Sequence, residues 1–210
     1  LRNPLAIIRS TVQNLDETLE PGESEARRTC RFVLEEIDRL TRVTSSIVRF
    51  ARPLVPSRLR IGADELFERA RALAERMVAA RDVTLSARLP RSDAVLDADP
   101  DLVCQALLGL IDNAAHFSPP GAAIALALEF EADEIVLCVE DCGPGVPVEL
   151  RDRLFEPFFT TREAGTGLGL AIVRQIAQAH GGRIVIGDRS GGGARFELRL
   201  PIAAGEELAA

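Results

Sequence analysis

The clearest chemical signal in this sequence is a glycine-rich run at residues 165–170, just before a helical pattern over 171–180. Alternating glycines let a backbone turn tightly and bring its N–H groups close to a ligand. A helix that begins there adds unpaired N–H donors and the positive end of its dipole, which suit a phosphate chain. A plain loop is the alternative interpretation. The members of the run are Gly165, Thr166, Gly167, Leu168, Gly169 and Leu170.

A second glycine turn places Asp141 in front of Gly143 and Gly145, directly after the apolar run 135–139. A carboxylate in this position would accept a hydrogen bond from the exocyclic amine of adenine. Such a bond to a charged group contributes about 1.5–3 kcal/mol, or roughly tenfold to a hundredfold in affinity. The alternative for Asp141 is an aspartate that only caps the turn.

A third candidate lies on a predicted helix over 101–117, where Asn113 and His116 share one face with Gly109 and Phe117. Apolar residues occupy the opposite face, so packing on a sheet would direct Asn113 and His116 toward the glycine turns. An amide oxygen is a hard ligand that suits a Mg²⁺ ion bridging phosphates. An ordinary surface amide is the alternative.

Composition excludes several classes of protein. All 25 basic residues are arginine, whereas P-loop NTPases, protein Ser/Thr/Tyr kinases and pyridoxal-phosphate enzymes each need a lysine. The net charge of −7 argues against nucleic acid as a partner. Four cysteines without a Cys-x-x-Cys pair indicate reduced thiols in a cytoplasmic protein and no structural zinc.

Residues 1–53 are predicted to form an antiparallel helical hairpin. Apolar residues recur every three or four positions from Leu1 to Leu19 and again from Val33 to Ile47, and Pro21 and Gly22 separate the two patterns. A hairpin with so broad an apolar surface favours a homodimer in which two copies form a four-helix bundle; packing on its own chain is the alternative. No apolar run is long enough to cross a membrane, so this part of a longer protein is expected to make no membrane contact.

Residues 53–57 are predicted to be a linker, and residues 58–203 a second domain. Its patterns predict helices over 63–80 and 101–117 and strands over 83–89, 124–130, 135–139, 183–186 and 194–200. In the last strand Phe196, Leu198 and Leu200 alternate with Arg195, Glu197 and Arg199, which is typical of a half-buried strand. The predicted fold class is α+β, an α/β sandwich whose mixed or antiparallel sheet is covered by helices on one face.

The ordered set of motifs resembles the ATP-binding domain of sensor histidine kinases, which is related to the gyrase, chaperone and mismatch-repair ATPases. The resemblance covers almost the whole chain. The run 1–5, Leu-Arg-Asn-Pro-Leu, looks like the phosphoacceptor box without its leading His-Glu. The other matching stretches are 107–117, 141–145, 155–159, 165–170, 179–182 and 193–196.

The resemblance implies a function for most of these residues. Asn113 would bind Mg²⁺, Asp141 would bind adenine beside Gly143 and Gly145, and the run 165–170 would hold the phosphates of ATP under a lid at 160–166. Arg162 would reach the γ-phosphate, and Asn3 would orient water during dephosphorylation of a response regulator receiver domain. The hairpin would carry the phosphorylated histidine, which this chain lacks, so it is expected to bind ATP without autophosphorylating.

Four departures from the family pattern leave two further hypotheses open. Gly109 stands where an Asn is usual, His116 where Lys or Arg is common, Phe117 where Tyr is common, and Ala194 where Thr is usual. A dimeric binding module that has lost nucleotide affinity is the first hypothesis. An ATP-hydrolysing machine is the second, although its relatives have a catalytic Glu four residues before the Asn, where Gly109 offers no base.

Overall fold

The computed structural model describes residues 2–19, 24–51, 53–162 and 165–203. Two long helices, α1 (Arg2–Thr18) and α2 (Ser24–Ala51), form the N-terminal part. They run antiparallel, since Arg9 pairs with Asp38, and the Arg27 guanidinium donates to the carbonyl oxygen of Leu19 at 2.9 Å. The predicted hairpin is therefore present, while the predicted turn at Pro21 and Gly22 lies outside the described residues.

The hairpin leaves much of its apolar surface in contact with solvent. Cys30 and Ile37 are buried between the helices, but Ile8, Leu15 and Leu40 are 47%, 53% and 45% exposed. In the part of the chain that is described, no helix combines the length and the apolar character needed to span a bilayer.

Residues 53–58 have no regular secondary structure. The second part then contains three helices, two strand systems and two short 3₁₀ turns. The helices are α3 (Ala63–Val78), α4 (Pro100–Phe117) and α5 (Gly169–Ala179), and the 3₁₀ turns are Val148–Leu150 and Arg153–Phe155. The strands are β1 (Leu59–Gly62), β2 (Val83–Arg88), β3 (Val95–Ala98), β4 (Ala122–Glu131), β5 (Glu134–Glu140), β6 (Arg183–Asp188) and β7 (Ala194–Pro201).

The main sheet has the strand order β2-β4-β5-β7-β6. It is mixed, because β2 pairs parallel with β4 while the other neighbours are antiparallel. The remaining strands, β1 and β3, pair with each other. The predicted α+β class is confirmed. The strand β1 was not predicted, since a stretch of four residues with the exposed pair Leu59 and Arg60 has too little alternation to indicate a strand.

Alternation along the strands gives the sheet two different faces. Leu126, Leu137 and Leu198 are buried against α3, α4 and α5 in the main core. The opposite face carries a network that we call the sheet cluster: Arg195, Glu129, Glu140, Glu197 and Arg199. The Arg195 guanidinium donates to Glu197 at 2.7 Å, to Glu140 at 2.8 Å and to Glu129 at 2.7 Å.

The sheet cluster covers a small second core that contains Ala127, Val136 and Cys138. Burial raises the pKa of the Cys138 thiol to about 12. Burial alone would lower the pKa of Arg195, but its bonds to Glu129, Glu197 and Glu140 outweigh that effect and raise it. The alternation of Arg195, Glu197 and Arg199 therefore marks the open face of the sheet, as predicted.

Candidate functional site

A cavity of about 340 Å³ lies between α4, the start of α5 and the ends of β5 and β7. This volume is in the range of small-molecule sites, roughly 300–1,000 Å³. Asn113, Phe117, Asp141 and Arg162 line it, together with many apolar side chains. The glycine-rich run contributes Gly165, Thr166, Gly167, Gly169 and Leu170, and the second turn contributes Gly145.

Asp141 is held rigidly at the end of β5 with only 3% of its surface exposed. Its Oδ1 accepts hydrogen bonds from the backbone N–H groups of Gly143 at 2.8 Å and Ala194 at 3.0 Å. The second bond depends on a close approach of β7, because a Cβ at Gly193 would lie 2.1 Å from the Asp141 carbonyl oxygen. A carboxylate fixed in this way is pre-oriented to accept a hydrogen bond from a ligand amine.

A second set of polar groups, which we call the cavity cluster, consists of Asn113, Asp112, Arg162 and Arg81. Arg162 donates through Nη2 to Asn113 Oδ1 at 2.7 Å and through Nη1 to Asp112 Oδ2 at 3.3 Å. Arg81, in the turn after α3, donates to Asp112 Oδ1 at 2.5 Å. The guanidinium carbon of Arg162 also lies 5.2 Å from the centre of the Phe117 ring.

Burial lowers the pKa of Arg162, a member of the cavity cluster, and that of the nearby His116. The bond from Arg162 to Asp112 opposes this lowering of the Arg162 pKa. His116 is exposed on the adjacent turn of α4, with its ring 5.0 Å from that of Phe117. Partial burial and the charge of Arg162 lower the pKa of His116. The structure does not place His116 among the residues that line the cavity.

The glycine-rich run wraps around residues 158–162. The Phe158 N–H donates to the Gly167 carbonyl oxygen at 2.9 Å. Gly167 has φ = 65°, and a Cβ there would lie 2.3 Å from the Phe158 carbonyl carbon. This contact explains why glycine is needed at residue 167. Gly169 begins α5 at the cavity, so the helix presents its first N–H groups to a ligand there.

Several predicted residues lie away from the cavity. Leu168 is fully buried in the main core, and Gly143 lies behind Asp141, where its N–H supports the carboxylate. The side chain of Asn3 lies outside the described residues, as do two residues of the predicted lid, 163 and 164. His180 is buried, and its Nε2 accepts a hydrogen bond from the Asp99 N–H at 3.0 Å.

Asp112 was not predicted as a site residue. The apolar lining was not predicted either, and it is formed by Val146, Leu150, Leu154, Phe159 and Phe196. Asp112 precedes Asn113 directly, and a carboxylate beside a candidate metal ligand is a signal that the sequence offered. Most of the apolar lining comes from residues 146–159, which have no clear periodicity, and the alternation at Phe196 predicted only a half-buried strand.

The described residues fit a nucleotide whose metal ion is held mainly by phosphates and water. They contain no group of three or more His, Cys, Asp or Glu side chains that could hold a metal alone. Asn113 lines the cavity, and its Oδ1 accepts a bond from the Arg162 cation, so this oxygen is suited to positive charge.

Comparisons with known proteins agree with this site. Residues 98–204 match the family described as "Histidine kinase-, DNA gyrase B-, and HSP90-like ATPase". The sensor histidine kinase ZraS of Salmonella typhi is 30% identical over 208 residues, which cover 99% of this chain and 44% of ZraS. The chain thus spans less than half the length of this curated relative.

Two solved histidine kinase structures share the fold. Full-length ShkA in complex with AMPPNP has a TM-score of 0.75 at 26% identity, over 97% of this chain and 44% of ShkA. ThkA in complex with the response regulator protein TrrA has a TM-score of 0.72 at 26% identity, over 95% of this chain and 58% of ThkA. The predicted relationship to sensor histidine kinases is confirmed.

Proposed function

We propose that this chain, which belongs to the family of histidine kinase-, DNA gyrase B- and HSP90-like ATPases, is the catalytic core of a sensor histidine kinase that binds ATP with Mg²⁺. One observation carries the proposal: a buried carboxylate, an accessible amide oxygen and the start of a helix meet in one cavity. These groups match the adenine amine, the metal ion and the phosphates of one ligand.

Each residue then has a defined part. Asp141 accepts a hydrogen bond from the adenine amine, and the apolar lining of the cavity excludes water from the base. Asn113 offers Oδ1 to the metal ion, and the N–H groups at the start of α5 hold the phosphates. Arg162 neutralises charge on the γ-phosphate, since positioning and charge neutralisation dominate phosphoryl transfer. The bound nucleotide supplies the phosphoryl group that passes to a histidine of the kinase and then to an aspartate of a response regulator.

The test is a calorimetric titration of the chain with a non-hydrolysable ATP analogue and Mg²⁺. Asp141→Ala is expected to weaken binding at least tenfold. The control is Asp93→Ala, which changes an exposed aspartate that does not line the cavity and should leave the affinity unchanged. The analogue is expected to bind more tightly than its guanine counterpart. Absence of binding at millimolar nucleotide would exclude the kinase interpretation and favour a nucleotide-free binding module.

A second experiment tests the transfer itself. Restoring the upstream segment that carries the phosphoacceptor histidine is expected to allow formation of acid-labile phosphohistidine with ATP. Asn113→Ala in that longer protein should abolish the label. In the presence of the receiver domain of the cognate response regulator the label should move to that domain. A label that forms equally well in the Asn113→Ala protein would contradict the assigned metal ligand.

The hairpin supports a homodimer as part of the same proposal. Ile8, Leu15 and Leu40 belong to the recurring apolar positions of the predicted hairpin but remain about half exposed in one copy of the chain. Light scattering after gel filtration is expected to give twice the chain mass. Leu15→Asp should give the monomer, whereas Gln13→Asp, the same charge at an exposed polar position, should not. A monomeric wild type would remove the four-helix bundle from the proposal.

A further inference from the structure

The side chain of Arg162 binds Asn113 Oδ1, the oxygen that the proposed function assigns as a ligand of the metal ion. Its Nη2 is 2.7 Å from Asn113 Oδ1 and 3.5 Å from the Asp112 carbonyl oxygen. Only 21% of the Arg162 side chain is exposed. In this arrangement a positive charge carried by the protein itself already occupies the Asn113 end of the cavity.

Asp112 is the group that keeps Arg162 there. One of its oxygens accepts from Arg81 and the other from Arg162. Arg81 lies on a different element, in the turn after α3, and gives the carboxylate a fixed orientation. Asp112 therefore links the body of the domain to a residue of the predicted lid.

An arginine on Asn113 and a divalent metal ion on Asn113 are in conflict. The amide oxygen has two lone pairs, so the number of acceptor sites does not prevent both from binding. The conflict is electrostatic, because a guanidinium and a divalent cation on the same oxygen would repel each other strongly in a cavity that is partly closed to water. One of the two must leave.

We propose that Arg162 and the metal ion of the nucleotide compete for Asn113 Oδ1, and that Asp112 is the positioning residue that holds Arg162 on Asn113 when nucleotide is absent. The inference rests on the proposed function and adds a step to it. A metal-nucleotide displaces Arg162 from Asn113, which frees the guanidinium for the γ-phosphate. Arg162 is thus an internal substitute for the metal ion while nucleotide is absent.

ADP separates this competition from the γ-phosphate contact, because ADP has no γ-phosphate for Arg162 to bind. The measured quantity is the ratio of the ADP dissociation constant in EDTA to that in Mg²⁺. Competition with Arg162 lowers this ratio in the wild type. Arg162→Ala is expected to raise it roughly tenfold, the effect of one hydrogen bond to a charged group. Arg88→Ala, which removes an exposed arginine on β2 that does not line the cavity, is the matched control and should leave the ratio unchanged.

The outcomes separate the two proposals. ADP binding that depends on Asp141, with an unchanged or lower ratio in Arg162→Ala, would overturn the competition and leave the proposed function in place. Absence of ADP binding to all variants would overturn the proposed function, and the inference with it. The nucleotide-free contact between Arg162 and Asn113, on which only the competition rests, has its own test.

Hydrogen exchange measured without nucleotide tests whether Asp112 and Asn113 hold residues 158–162 in place. Asp112→Asn keeps the size of the side chain but removes its charge, and it should speed amide exchange in the peptide that contains residues 158–162. Asn113→Ala should act in the same direction. Thermal unfolding of both variants checks that the domain remains folded. Unchanged exchange in both folded variants would overturn the role of Asp112.

Discussion

Arg195 and Arg162 are both arginines that bind acidic side chains in the same domain, yet their surroundings differ. Arg195 lies on β7 and contacts carboxylates from β4, β5 and β7 at 2.7–2.8 Å. The register that pairs Glu140 with Arg195 fixes this geometry. Arg162 lies in a segment without regular secondary structure, 3.3 Å from its carboxylate partner and bound to a neutral amide.

The difference separates a structural use of arginine from a displaceable one. In the sheet cluster, three acidic side chains share Arg195, and removing it would leave each of them with only its second arginine partner, Arg88, Arg189 or Arg199. In the cavity cluster, one carboxylate is shared between Arg81 and Arg162, so Arg162 can leave without stranding an unpaired charge. We infer that strong, register-fixed pairing suits the open face of a sheet, whereas weak, shared pairing suits a site that must admit a ligand.

The largest expected effect comes from breaking the sheet cluster. Arg195→Ala leaves Glu129, Glu140 and Glu197 close together without their common partner, and it should lower the free energy of unfolding by about 2–3 kcal/mol. Urea denaturation, monitored by circular dichroism, measures this loss in the free energy of unfolding. Arg88→Ala, which removes an exposed partner of Glu129, is the control and should cost less than about 1 kcal/mol. Equal losses in the two variants would contradict the central position of Arg195.

The next effect concerns the backbone that supports the cavity. Gly167→Ala introduces a Cβ at a positive φ and within 2.3 Å of the Phe158 carbonyl carbon, so it should destabilise the domain by more than about 1 kcal/mol and weaken nucleotide binding. Gly169→Ala, where a Cβ meets nothing within 4 Å, should leave stability the same or slightly raise it. Calorimetry of unfolding and nucleotide titration measure stability and affinity in both variants. A Gly167→Ala protein with wild-type stability would refute the close contact with Phe158.

A smaller effect should appear with pH. Burial alone would raise the pKa of Glu197, but its bonds to Arg195 and Arg199 outweigh burial and lower it from the ordinary value of 4.5. The stabilisation by Glu197 is therefore complete above pH 4.5 and is lost as the pH falls through the lower value in the folded protein. Urea midpoints measured from pH 6 downward should fall less steeply in Glu197→Gln than in the wild type. Parallel curves would show that Glu197 titrates normally.

The smallest effect on stability is expected at the cavity cluster. Arg162→Ala should change the free energy of unfolding by about 0.5 kcal/mol or less, because the burial that lowers the pKa of Arg162 offsets much of what its bonds contribute. The same denaturation experiment measures it beside Arg195→Ala. A loss as large as that of Arg195→Ala would remove the distinction between the two clusters.

The sequence alone determined most of the helices and strands and the chemical type of the candidate site. Period-two alternation identified the two faces of β7. Helical spacing identified α4, at whose start Asp99 accepts from the N–H groups of Asp101 and Leu102. These features depend on neighbours within a few residues, so local spacing is enough to predict them. The identity of Asp141 and Asn113 as candidate ligands likewise followed from residue type and position.

Only the tertiary structure decided which of these residues meet. Ala194 reaches Asp141 across 53 residues of sequence, and Arg162 reaches Asn113 across 49. Such contacts depend on strand order, register and loop path, and many arrangements are compatible with the same local patterns. For this reason His116 was predicted inside the site but lies outside its lining, while Asp112 was overlooked but belongs to that lining and binds Arg162.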